Sequence, residues 1–183
     1  MAQLEAYDEE GGASDDLRRK LRIIGRNDLF ASLDSRNRRL LAFAAQWYTA
    51  KAGKRIFRAG DRADAVYLCL SGLAELGHQA DDGGWGHVSD VEPGRLIGDL
   101  SIILNEPRQL DLKAIEDVTF LRIGAEQFRA VVERDSVMMM SLLRTVSGYL
   151  TGAAELLIEA GIEVPREMGP HRPAVMLEEA EEE

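Results

Sequence analysis

Pro93 to Asp111 reads PGRLIGDLSIILNEPRQLD, and no other segment constrains the architecture of the chain as tightly. Gly94 and Gly98 bracket a short apolar run, Asp99 to Leu104 has room for a helical turn or two, and Pro107 with Arg108 ends it. Amide N–H groups at the start of so short a helix have no partner within it and lie at the positive end of its dipole, which suits an anion. A nearby arginine can hold the same anion through two hydrogen bonds. On the residues alone two readings stay open: a small phosphate cradle, or a surface turn whose Arg108 pairs with Asp99, Glu106 or Asp111.

Around this segment, from Trp47 to Gly124, short apolar runs are punctuated by Gly, Asp and Pro about every 8 to 12 residues, the spacing of an all-β sandwich or barrel. The runs are Trp47 to Ala50, Arg55 to Arg58, Ala65 to Ser71, Leu73 to Leu76, Trp85 to Val91 and Val118 to Ile123, with a weaker one at Asp111 to Ala114. Asp81 to Gly84, DDGG, offers residues that tolerate positive φ for a hairpin loop. Upstream, Leu17, Leu21 and Ile24 recur at helical spacing after Ser14-Asp15-Asp16 and up to Gly25, a plausible C-terminal stop. A second helical stretch, Asp34 to Gln46, carries Leu40, Leu41 and Phe43, with Arg36, Arg38 and Arg39 assigned to a solvated face. Downstream, Phe128, Val131 and Val132 fit a short helix, and Val137 to Gly161 a longer one with apolar residues on more than one face. The expected layout is a lead-in at 1–13, a helical segment at 14–46, a β-roll at 47–124, helices at 125–164 and an acidic tail at 165–183.

Gly60-Asp61, Tyr67, Gly72, Gly98-Asp99-Leu100 and, nine residues after Asp99, Arg108 preceded by Pro107 resemble the signature of the cyclic-nucleotide-binding domain family, from about Leu29 to Leu150. The resemblance implies a mainly β fold with flanking α-helices, a double-stranded, jelly-roll-like β-roll or small β-barrel with helices before and after it. It implies a phosphate-binding cassette at 98–111, in which Arg108 pairs with the cyclic phosphate of cyclic AMP or cyclic GMP. Gly98, Leu100 and Ser101 would supply backbone amides, with the Ser101 hydroxyl as a further donor. Asp99 stands where the family usually has a Glu that accepts from the ribose 2′-hydroxyl. After Arg108 the family commonly continues with a small residue and a hydroxyl residue, whereas this chain has Gln109, Leu110 and Asp111. A dehydrated carboxylate at Asp111 would repel the phosphate by a few kcal/mol and could occupy Arg108 in its place. Leu110 could obstruct the nucleotide's space.

Two functions follow: a sensor in which the nucleotide shifts the helices after Gly124, or a ligand-free domain used for dimerisation or protein contact. The first sensor ligand is the cyclic nucleotide, and no cofactor or metal is expected. A homodimer through the helix after Val137, and fusion to a channel, transporter or enzyme, are the expected partnerships, with any missing domain expected upstream.

Composition and motifs argue against other classes. The 22 Lys+Arg against 32 Asp+Glu give a net charge of −10, unfavourable for phosphate backbones, and no basic reading helix follows Leu150. No apolar run approaches the roughly 18 residues that span a bilayer, so the expected location is cytoplasmic. Cys69, the only cysteine, sits in VYLCLSG and reads as a buried strand thiol. His78, His87 and His171 are too scattered for a metal set, and no nucleophile elbow or P-loop is present, so no enzyme is expected.

Overall fold

Three helices lead into the first strand: α1 (Ala13–Arg26), α2 (Asp28–Ala31) and α3 (Ser35–Ala44). There follow β1 (Gln46–Ala50), β2 (Arg55–Phe57), β3 (Ala65–Ser71), β4 (Ala74–Gln79), β5 (Trp85–Val91), β6 (Leu96–Ile97), α4 (Asp99–Ile103), β7 (Asp111–Ala114) and β8 (Val118–Gly124). Helices α5 (Ala125–Val132) and α6 (Ser136–Glu159) follow. This computed structural model describes residues 12–80 and 83–161. The expected lead-in up to residue 11, Asp81-Asp82 of the hairpin, His171 and the acidic tail lie outside the described residues. The chain divides into two compact units, residues 1–141 and 142–183. The first holds every element up to the start of α6. The described part of the second is the remainder of that helix.

The strands form two four-stranded sheets, ordered β1-β8-β3-β6 and β2-β7-β4-β5, with antiparallel pairing throughout. This is the jelly-roll-like β-roll of the sequence reading, though the two sheets remain separate and do not close into a small barrel. Side chains alternate across a strand, so the inner faces meet in one core through Tyr67, Cys69, Phe120, Leu112, Ala74 and Val91. β3 is buried at its first six positions without alternation, the mark of a strand covered on both faces. Tyr67 and Cys69 point into the roll, while Val66 and Leu68 lie on the opposite face, which α4 and α5 cover.

A second apolar cluster holds the helices. Ile24, Phe30, Leu41 and Phe128 are fully buried, and the Phe30 and Phe128 rings meet edge to face at 6.4 Å. α1 does not stop at Gly25 but runs through it to Arg26. The absent side chain leaves room for the Arg38 guanidinium, which a Cβ there would touch at 3.4 Å. Arg38 is accordingly not on a solvated face: its Nη2 donates to the carbonyls of Ala31 and Leu33, while Arg36 and Arg39 are exposed. Met138 is core and Met140 is about half exposed.

Candidate phosphate cassette

The segment from Gly98 to Asp111 is held between β3, β6 and β7. Gly98 caps α4 with φ of 88°, a left-handed conformation in which only glycine is unstrained. A Cβ there would overlap Nη1 of Arg108. The glycine is therefore required twice, for the turn and for the guanidinium beside it.

Arg108 is 3% exposed. Its Nη1 donates to the Gly98 carbonyl at 3.1 Å and its Nη2 to the Ala65 carbonyl. Below it lies an aromatic floor, with the guanidinium carbon 4.4 Å from the centroid of Phe57 and 5.9 Å from that of Tyr67. Asp64 stands 3.6 Å from Arg108 and 2.7 Å from Arg122, bridging the two cations. Burial pulls the Arg108 pKa below the ordinary guanidinium value, against the opposing pull of Tyr67 and Asp64. Its Nε is buried with no hydrogen-bond partner, so one donor of this fork is unsatisfied.

Asp99 opens α4. Burial raises its pKa, while the amides of Asp99 itself and Leu100 hydrogen-bond the carboxylate and act in the opposite direction. Of the amides expected to cradle a phosphate, that of Leu100 is thus in contact with the chain's own carboxylate. Leu100 and Ser101 follow in the same turn, partly buried. Ser101 uses its carbonyl to accept from the Glu106 amide at 2.9 Å. Asn105 turns the chain with a positive φ of 55°, and its side-chain oxygen accepts from Arg129 of α5 at 3.2 Å. Arg129 also donates to the Ile102 carbonyl at 2.9 Å, so one α5 side chain grips the C-terminal end of α4.

Beyond Arg108 the structure corrects one expectation. Asp111 does not engage Arg108. It is 4% exposed, pairs with Arg55 at 3.1 Å and accepts from the Ala59 amide at 2.6 Å. β7 alternates, so Leu112 and Ala114 face the core and Asp111 shares the outer face with Lys113. The carboxylate beside Arg108 is Asp64 instead. Gln109 is exposed, its amide 3.3 Å from the carboxylate of Glu106, and Leu110 is partly buried.

Asp64, the Ala65 carbonyl, Phe57 and Arg129 were not singled out by sequence. Asp64 sits in a polar run, GDRADA, of which the resemblance drew on Gly60-Asp61 and not on Asp64. Asp61 accepts from the Arg58 amide through its carboxylate at 2.8 Å and from the Arg108 amide through its carbonyl at 2.8 Å. Of the three histidines, His87 lies 3.2 Å from Glu75 on the outer face of the second sheet. Among the described residues no cluster of three or more His, Cys, Asp or Glu is placed to hold a metal ion, and no helix is long and apolar enough to cross a membrane.

The family model described as "Cyclic nucleotide-binding domain" matches residues 48–135. A cyclic nucleotide-binding-like protein from Brucella abortus is 32% identical, with a TM-score of 0.54 covering 63% of this chain and 98% of that one. The regulatory subunit of a cAMP-independent protein kinase A from Trypanosoma brucei superposes with a TM-score of 0.64 at 21% identity, over 75% of this chain and 49% of its own, a likeness of fold. Among curated proteins, lysophospholipase NTE1 of Chaetomium globosum is 26% identical over 108 residues, 59% of this chain and 7% of that protein. The chain thus spans less than a tenth of the length of the curated relatives it matches first.

Proposed function

Since the chain belongs to the cyclic nucleotide-binding domain family, we propose that it is a non-catalytic regulatory domain that takes cyclic AMP or cyclic GMP at Gly98–Asp111 and passes occupancy on through α5. The observation that carries this reading is Arg108: a buried guanidinium with an unsatisfied Nε, fixed beside a glycine that leaves it room. A cyclic phosphate would take hydrogen bonds from this fork, and the Asp99 carboxylate would leave the α4 amides to accept from the ribose hydroxyl. Gly98, Leu100 and Ser101 would then present their amides to the phosphate. Asp64 would stay on the far side of the guanidinium, holding its orientation.

One observation favours a second reading, a ligand-free domain kept for protein contact: the Arg108 side chain is only 1% exposed, and its terminal nitrogens are already engaged by Gly98 and Ala65. In either case the domain would serve as the regulatory part of a longer cytoplasmic protein, paired with an effector domain, and α6 would join two copies. Neither reading assigns this chain a reaction of its own.

Isothermal titration with cyclic AMP and cyclic GMP separates the two. Sensing requires binding in the micromolar range or tighter that falls by about 100-fold in Arg108→Ala, the loss of two charge-assisted hydrogen bonds. Circular dichroism of the variant checks that the roll is intact. No heat and no thermal stabilisation at millimolar nucleotide would leave the ligand-free reading.

A further inference from the structure

Independently of the cassette, we propose that the groove between α1 and α3 is a docking site for an acidic polypeptide segment of another protein, one that anchors itself by a large apolar side chain. The groove has a volume of about 450 Å³ and is lined by Leu17, Ser35, Arg36, Arg39, Leu40 and Phe43, within the range of about 300–1,000 Å³ common to recognition cavities. Phe43 is 84% and Leu40 48% exposed. An aromatic ring held that far into water at the lip of a cavity is an anchor without its partner, since burying it would remove apolar surface from water at about 25 cal/mol per Å².

Charge says what the partner carries. Residues 12–46 contain eight Lys+Arg and four Asp+Glu, net +4, in a chain of net −10, so the remainder carries −14. Arg36 and Arg39, on the groove itself, have no ion pair or hydrogen bond among the described residues, whereas Arg38 beside them is used to tie down Ala31 and Leu33. A basic rim on an acidic chain complements carboxylates and selects against basic partners. Shape selects a polypeptide over a lipid surface: a concave slot admits an inserted side chain, and the −14 elsewhere opposes approach to an anionic bilayer.

The test pans a random twelve-residue phage-displayed peptide library against the full chain and measures the recovered peptides by fluorescence anisotropy. Enriched sequences should place Phe, Leu or Trp beside Asp or Glu. Phe43→Ser and the double variant Arg36→Glu/Arg39→Glu should each weaken binding at least tenfold, with unchanged melting temperatures. Raising salt from about 0.05 M to about 0.5 M should weaken the wild type and not the double variant. Failure to enrich, enrichment of non-acidic sequences, or binding indifferent to both variants overturns the proposal. So does capture of the chain by phosphatidylserine vesicles without peptide binding, or self-association abolished by Phe43→Ser, since these assign the groove to a membrane or to a second copy.

Discussion

Arg108 and Asp99 are opposite charges that are both withdrawn from water. Burial disfavours the charged form of each, but Arg108 retains its charge among carbonyls and an aromatic floor, whereas the penalty on Asp99 applies wherever its carboxylate is ionised and disappears once it is protonated. A carboxyl with a raised folded pKa contributes stability while protonated and loses it as pH rises from the unfolded value through the folded one. Asp99→Asn should therefore raise the melting temperature at pH 7 by a few degrees, with the gain vanishing below about pH 4, near the reference carboxyl value; differential scanning calorimetry across that range checks it. The glycine turn and the short helix after it were legible in sequence because they serve local backbone needs visible in one segment, whereas the reading of that segment as a phosphate cassette came from the family resemblance. The cassette's electrostatic partners were not legible. Asp64 lies 44 residues before Arg108, and its neighbourhood is brought to the cassette by the β3–β6 pairing and by the backbone hydrogen bonds that join Gly60 and Asp61 to Arg108. Asp111 misled for a related reason: sequence shows that a carboxylate follows Arg108, but the face it takes depends on strand register, and one residue's shift exchanges core for surface.

Among the elements, Ala65–Ser71, Trp85–Val91 and the weaker Asp111–Ala114 coincide with expectation, whereas β4 runs to Gln79, past the expected end at Leu76. β6 and α2 escaped. A two-residue strand has no period to read, and α2, four residues long, is started by the Asn27 side chain accepting from the Leu29 amide at 3.2 Å. Asn27 also donates to the Gly94 carbonyl at 2.9 Å, fastening the helical segment to the turn before β6. α3 begins with Asp34, which accepts from the Asn37 amide at 2.7 Å. Asp34→Ala should cost about 1 kcal/mol in urea unfolding, with no change in the sheets by far-ultraviolet dichroism. The Arg129 grip on α4 makes a different forecast. If occupancy of the cassette reaches α5 by this route, Arg129→Ala should leave nucleotide affinity within about threefold while removing the nucleotide-induced change in amide hydrogen exchange over residues 125–135. An unaltered exchange response would place the coupling elsewhere.

Taken whole, the β-roll seals Cys69 between its sheets, fully buried, and burial pushes the thiol up to about 11. Thiolate is the reactive form, so at pH 8 a disulfide reagent should label Cys69 no faster than the roll opens. The labelling rate should then follow stability across the Asp34→Ala and Asp99→Asn variants, and rapid stoichiometric labelling of the native protein would contradict the seal. The pairing of β1 with β8 has a temporal consequence. Gln46 is hydrogen-bonded opposite Arg122, some 76 residues further on, so on the ribosome the strand carrying Trp47 and Tyr48 waits roughly 4 to 15 s for its partner to be synthesised. During that interval Trp47 can already reach Asp16 of α1, but the backbone donors of β1 that β8 will satisfy have only water, chaperone or another nascent chain to meet, and the first sheet can be assembled only after most of the roll has already been translated.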